Sequence, residues 1–485
     1  MSIKADPAPK HLSTLRPNAI GLPGVLFQSI TTMAPAGAVA FSLGAAIPFT
    51  GGALPLAVGI ALVVCVLVAF NIGSMAKHLP SAGGYFTYVS RGLGPQAGWL
   101  TGWLFGFTYI LFIPLTLLVL GPVTDSFLSS TFHLSLGPNG WIVYALIYAA
   151  IGFVLTFFGV KISADVGIVL GAIEIVVFGL LSLWLIISAG SSNTLAAFNP
   201  ASSQQHGLGG WQGVLFGMLF AFLAFSGFES AASLGEESLH PRRIVPRAIL
   251  LATISIGIFY VFCGYAGVVG WGFDKLSTYA NDPNPWGTMA THVWGPFAFI
   301  AILAILNSAL GNANAGINAG ARVLYAMGRI GTLPGGLGRT NRYHTPGRAI
   351  ILVLVVGLIV MIWAGLAYGP TTAFAFIGAL LTVPILLVYM ATCLAVPFFY
   401  WREHRSEFHS VRHVILPAIP FILLAVVIYF QFVPLPPAPL NLVGPINAVW
   451  LVLGIIIVVL LGLRTPEALT QGNTLFGAPS EEEPA

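Results

Sequence analysis

About twelve apolar runs, each close to the length a helix needs to cross a bilayer core, constrain this chain more than any other feature. They lie roughly at 23–47, 53–76, 96–121, 141–160, 164–189, 211–236, 247–271, 294–328, 349–367, 371–399, 413–432 and 444–463. The runs are continuously apolar, whereas barrel strands would alternate over about ten residues, so they read as helices. The eighth is long for one crossing and is expected to tilt or to extend beyond the bilayer. Only 7% of the 485 residues are charged and 57% are hydrophobic, against roughly 25% charged in a soluble domain. Such a chain cannot cover itself with charge, which excludes a cytosolic enzyme, a secreted domain and a disordered polypeptide. An all-α membrane protein with about 12 transmembrane helices is expected.

Basic residues give the orientation. With the N-terminus inside, every one of the 19 Lys and Arg residues except Lys275 falls on the cytoplasmic side. That asymmetry follows the positive-inside rule, so both termini and the tails 1–19 and 465–485 are expected to be cytoplasmic, in a multi-pass plasma-membrane protein. The net charge of +4 belongs to these loops and does not point to nucleic acid. Cys65, Cys263 and Cys393 all lie in apolar runs and read as small apolar side chains, not disulfides or metal ligands. No cleavable signal peptide is expected, because the first apolar run begins only near Ile20 and lacks an A-x-A exit.

Spans one to five (20–190) and six to ten (210–400) form two blocks of similar length, followed by spans eleven and twelve (412–464). An odd number of crossings forces the second block to enter with opposite topology, the arithmetic of an inverted repeat. The first helix of each block is interrupted. Span one carries Met33, Ala34, Pro35, Ala36, Gly37 and Ala38 near mid-depth. Span six carries Ala224, Phe225, Ser226, Gly227, Phe228 and Glu229. Irregular backbone at that depth persists only where protein or a cavity satisfies it. Two facing breaks make a site for a zwitterion. The amides of Gly37, Ala38 and Val39 are expected to be free to receive a carboxylate at a positive helix end. Carbonyls near Met33, Ala34, Phe225 and Ser226 would accept from an ammonium, and Phe225 and Phe228 would cover the substrate side chain.

Three segments carry a family resemblance. FSGFESAASLGEESLHPRRIVPRAI (225–249), HLPSAGGYFTYVSRGLGPQAGW (78–99) and NAGARVLYAMGRIGTLPGGLGRTNRYHTPGRAI (318–350) resemble, in this order, the sixth, second and eighth spans and their loops in amino acid permeases of the amino acid–polyamine–organocation superfamily. The resemblance implies a leucine-transporter-type fold, with a five-plus-five inverted repeat, discontinuous helices 1 and 6, and two C-terminal helices. It implies secondary amino acid transport by alternating access, with no cofactor. The family's unwound stretches map to Ala34–Ala38 and Phe225–Gly227. Many members have a glycine-rich first break, where this chain has Ala34-Pro35-Ala36-Gly37-Ala38. Several proton-coupled relatives carry a lysine in the fifth helix after a GVK-type motif. At that spacing after Gly159-Val160-Lys161 this chain has Glu174.

Glu174 sits about 15 Å into span five at 1.5 Å per residue. An intramembrane carboxylate points to function, and Glu174 is the candidate for proton coupling, against a permanently neutral structural acid. Glu229 either shapes the pocket, where it would favour a cationic amino acid or polyamine, or caps the half-helix after the break. Glu236 and Glu237 pair with Arg242 and Arg243 in a gate or as solvated surface charges. Sodium is the alternative driver, with Ser308 and Asn312 among its ligands; the polar run Asn307–Asn314 equally suits helix packing. Tyr109 reaches the substrate or anchors packing, and Thr371, Phe374 and Phe376 are external-gate candidates. The glycines at 94, 98, 102 and 106 read as a packing stripe, and 81–92 as a short interfacial helix. No HExxH, GxSxG or P-loop motif occurs, which argues against a hydrolase or an ATP-driven pump. The expected activity is proton-coupled uptake of neutral amino acids; a cationic amino acid or polyamine carrier, an exchanger, a channel and a non-transporting sensor are the alternatives.

Overall fold

A computed structural model describes residues 20–79, 84–159, 164–205, 208–234, 238–329, 331–464 and Leu469. Lys161, Glu236, Glu237 and the charged residues of both tails lie outside these.

The chain is almost entirely helical. Eleven helical stretches are long and apolar enough to cross a membrane. The first, Leu22–His78, is 57 residues, or about 85 Å as one rod, more than twice a hydrocarbon core. It holds two crossings, which makes twelve. The first crossing is α1 (Leu22–Met33), the three-residue α2 (Pro35–Gly37), a π-helical turn (Ala38–Ser42) and α3 (Leu43–Thr50). After a turn at Gly51–Ala53 comes α4 (Leu54–His78). The interfacial segment forms α5 (Tyr85–Leu93), followed by α6 (Pro95–Phe132), α7 (Gly140–Phe157) and α8 (Ala164–Ala189).

The second block opens with α9 (Trp211–Phe225) and a 3-10 helix (Phe228–Leu234), then α10 (Pro241–Trp271). The long eighth run divides: α12 (Phe299–Arg329) makes the crossing, while Trp294 ends a separate short helix, α11 (Pro285–Trp294). Gly295-Pro296 separates the two, since proline supplies no donor to continue α11. Then come α13 (Gly347–Tyr368), α14 (Pro370–Glu403), α15 (Leu416–Phe430) and α16 (Val443–Arg464). Among the described residues, the sheet content is one antiparallel pair of two-residue strands, β1 (Gln204–Gln205) and β2 (Leu208–Gly209).

The two blocks pack as an inverted repeat. The second span of one lies along the second of the other (α4 on α10), and the third along the third (α6 on α12). Helix α3 runs against α9, which brings the two broken first helices together. Helices α6 and α9 are almost wholly enclosed and apolar all round, as interior helices are, whereas α15 and α16 leave most of their surface to lipid.

The four-residue glycine stripe divides its roles. Gly94, with φ +103°, makes the turn from α5 into α6, a conformation L residues rarely adopt. A Cβ at Gly98 would collide with the Ser90 side chain of α5, whereas Gly106 faces Val323 of α12. Apolar packing alone gives little drive in lipid, so close approach and polar ties matter more. One such tie straps α5 to the end of α14: Arg91 and Glu403 form a bidentate ion pair, with Arg91 Nε donating to Glu403 Oε1 over 3.0 Å. That hydrogen bonding raises the Arg91 guanidinium above its ordinary value, despite partial burial.

Candidate functional site

The first break is one residue wide. Pro35 disfavours helical geometry in the residue before it, and Ala34 adopts a left-handed conformation at φ 49°, ψ 68°. Pro35 then opens α2 at a position where its missing N–H costs nothing. The carbonyls left by the break are taken up by neighbours. Asn312 Nδ2 of α12 donates to Thr32 O (3.0 Å), and the Tyr260 hydroxyl of α10 lies 2.9 Å from Met33 O. The amides differ from expectation. Gly37 N–H donates to Ser308 Oγ (3.1 Å) and Ala38 N–H to Ala34 O (2.7 Å), so neither is free. The helix resumes at once because Pro35 already has helical φ, and this closes the Ala38 bond.

The second break is wider. Ser226 N–H donates to Leu223 O (3.1 Å) and ends α9; Gly227 then takes φ +113°. Only glycine fits there twice over: a Cβ would strain that φ and come within 2.9 Å of the Thr32 backbone. Glu229, 3% exposed, turns back on the break, its Oε2 accepting from Gly227 N–H (3.1 Å) and from the Tyr389 hydroxyl of α14 (3.2 Å). Ser29 of α1 stitches the new 3-10 helix down, donating to Phe228 O (2.7 Å) and accepting from Ala231 N–H (3.2 Å). The Tyr260 hydroxyl also lies 3.0 Å from Ala224 O, so one buried phenol bridges the carbonyl ends of both breaks.

A cavity of about 40 Å³ lies between the breaks, room for two or three water molecules. Met33, Ala34, Gly37 and Ala38 line it from the first break and Ser226 from the second. Phe374 of α14 and Asn312 of α12 also face it. Pro35 and Ala36 sit behind that wall. Phe225 and Phe228 do not cover the cavity; Phe225 packs on Tyr260 (centroids 5.4 Å) and Phe228 on Tyr389 (5.4 Å), both fully buried. The aromatic cover is Phe374 and Phe112, the latter on α6 with Leu115, Thr116 and Val119. Their spacing is that of one helix face, the signal that would have found them in the sequence. Tyr109, one turn earlier, is enclosed by Phe105 (4.7 Å) and Phe112 (5.5 Å) and is not in the lining. Phe376 is buried away from the cavity against Trp363 and Tyr368, and Thr371 is exposed.

Glu174 of α8, 3% exposed, lies behind the first break. Asn307 Nδ2 donates to its Oε1. The Ser308 hydroxyl and the Ala36 amide approach the carboxyl group as well, but Oε2 has no well-formed hydrogen bond. Ser308 thus stands between Glu174 and Gly37, and Asn312 ties α12 to Thr32. Each break has its own buried acid: Glu174 beside the first, Glu229 on the second.

The family profile for amino acid permeases matches residues 24–468. The chain belongs to the amino acid permease family. The permease is therefore a multi-pass membrane transporter for amino acids and not an enzyme. It is similar to a branched-chain amino acid permease of Lactococcus lactis subsp. cremoris, 24% identical over 77% of this chain and 81% of that protein. A low-affinity putrescine importer of Escherichia coli is 26% identical over 68% and 73%. A D-serine/D-alanine/glycine transporter of the same species is 22% identical over 71% and 72%. In fold, the permease resembles the manganese transporter of Eremococcus coleocola, with a TM-score of 0.58 and 12% identity over 93% of this chain and 94% of that one.

Proposed function

We propose that the permease carries neutral amino acids into the cell across the plasma membrane together with protons, with both termini in the cytoplasm. The observation that carries this reading is the cavity wall: backbone and hydroxyl groups of the breaks with hydroxyl, amide and aromatic groups of α6, α12 and α14, and no ionisable side chain among the described residues that line it. A zwitterion whose side chain is apolar leaves no charge unpaired against such a wall. In this reading the substrate carboxylate takes the Gly37 amide from Ser308, and the ammonium group takes carbonyls at the end of α9 near Phe225 and Ser226. Phe112 and Phe374 cover the side chain. Glu229 is occupied with Gly227 and Tyr389 outside the lining, which supports a neutral over a cationic substrate.

Glu174 takes up and releases the coupling proton. It touches the first break through Ser308 and the Ala36 amide, so its charge can bias the amide that receives the substrate. Thr32 O already receives Asn312, which supports protons over a sodium ion at Ser308 and Asn312. The basic residues Lys77, Arg91, Arg242, Arg243, Arg247, Arg339, Arg342, Arg348, Arg402, Arg405 and Arg412, all on one side in the twelve-span reading, support the orientation with both termini in the cytoplasm.

Proteoliposomes with an imposed proton or sodium gradient test this. Leucine, valine, alanine and putrescine are offered as labelled solutes. Concentrative uptake of the neutral amino acids on acidifying the outside is the expected result. Accumulation driven only by sodium, or of putrescine in preference to leucine, overturns the corresponding part.

A further inference from the structure

We propose that His78, His404 and Glu407 form a binding site for a divalent transition-metal ion of the zinc class, which ties the end of α4 to the loop after α14. The cluster lies outside the substrate cavity and its argument does not use the transport reading. His78 is the last residue of α4; His404 and Glu407 follow α14 on a single turn, closed by Glu407 N–H donating to His404 O (3.0 Å). One donor atom from each of the three lies within 4.8 Å of the others. Donors spaced so need only small side-chain rotations to reach the ~2.0–2.2 Å bonds of a zinc ion.

Two further observations favour an ion over an incidental cluster. His78 Nε2 is buried and has no hydrogen-bond partner among the described residues; the Glu407 carboxylate faces it at ion-pair distance, 3.5 Å away. The His78 and His404 rings also lie close together, centroids 4.0 Å apart with their planes tilted by 35°. Two imidazolium ions in that arrangement would repel, whereas two neutral rings offer nitrogen lone pairs to one cation. Phe399 and Tyr400 wall the pair, at 6.0 and 5.4 Å from His78. His413 is not a ligand: it stacks on Tyr400 (3.7 Å), and its Nδ1 accepts from the His409 amide (3.0 Å).

The chemistry selects the ion. Two imidazoles and a carboxylate suit zinc and its neighbours, and water completes the tetrahedron. Magnesium and calcium prefer oxygen donors. One cation competes: Lys77 Nζ is 3.4 Å from the same Glu407 oxygen, but its side chain is 58% exposed and free to swing into water. The ion would displace it and neutralise the carboxylate in its place.

The test uses full-length purified permease without a histidine tag, with zinc chloride in competition with a chromophoric chelator. One saturable zinc per chain is expected. His404→Ala and Glu407→Gln should each weaken it by at least about tenfold, the loss that changes even outside the ligand shell produce. Lys77→Gln should tighten it, and His133→Ala, at an exposed turn beyond α6, should leave it unchanged. Zinc, and not magnesium, should raise Tm in the wild type but not in the His78→Ala/His404→Ala double variant, by the linkage of binding to folding. Absence of saturable binding, or equal binding by wild type and double variant, overturns the site.

Discussion

The two breaks answer the same problem, helix interruption in lipid, by different means. The first spends one residue, Ala34, and relies on other helices: Asn312, Tyr260 and Ser308 satisfy what the interruption exposes. The second spends two, Ser226 and Gly227, and adds a local cap, Glu229 folding back onto the Gly227 amide, to the ties it receives from Ser29, Tyr260 and Tyr389. The difference teaches that a break held by neighbours alone is sensitive to how those neighbours move, while a break that also caps itself is a stiffer corner. On this comparison the first break is the adjustable half of the site and the second the fixed half.

The largest test is at the fixed corner. Gly227→Ala adds a side chain where φ is +113° and the Thr32 backbone is within 2.9 Å. Strain and overpacking together cost about 3 kcal/mol or more, so uptake is expected to vanish and Tm to fall sharply. Normal uptake by this variant would show the corner to be soft. Next comes the pair of acids. Glu174→Gln should abolish accumulation driven by a pH gradient while preserving exchange of labelled for unlabelled substrate. Glu229→Gln should keep gradient-driven accumulation and lose stability instead, by about 1–3 kcal/mol for a disturbed buried network. Identical phenotypes in the two variants would erase the division of labour.

Tyr260→Phe removes the hydroxyl shared by both breaks, and about 1–2 kcal/mol of stability is expected to go with it. The substitution should slow uptake without changing which solutes compete; an altered ranking of competitors would place Tyr260 in substrate contact. The smallest effect is at Ala34. Its left-handed conformation costs about 1–2 kcal/mol, which glycine relieves at an entropic cost of up to about 1. Ala34→Gly should therefore leave Tm unchanged or raise it by a few degrees, opposite in sign to Gly227→Ala. A large loss would mean that the Ala34 methyl group packs against something essential.

Much of this architecture is legible in the sequence. Continuous apolar runs located the crossings within a few residues, and the Ala34-Pro35 and Ser226-Gly227 pairs marked the helix interruptions because proline and glycine act locally. Where runs merge, the reading blurred. Pro122 to Phe132 continue α6 as helix beyond the run that ends at 121, and Gly295-Pro296 detaches α11 inside what reads as one run. The site was less legible, because which face of a helix meets the cavity depends on rotation about its axis. Phe225 and Phe228 flank the break in sequence yet point into packing, while Phe112 and Phe374, from distant spans, form the cover. Tyr260 carries no signal of its role: among Phe259, Phe262 and Tyr265 of the same apolar helix, it looks the same whether it packs or bridges two carbonyls.

The cavity between the breaks has room for two or three waters. A larger solute displaces wall side chains as it enters, and whatever resists that displacement resists turnover. A stiffer bilayer would slow it, even with the solute and its driving gradient held constant.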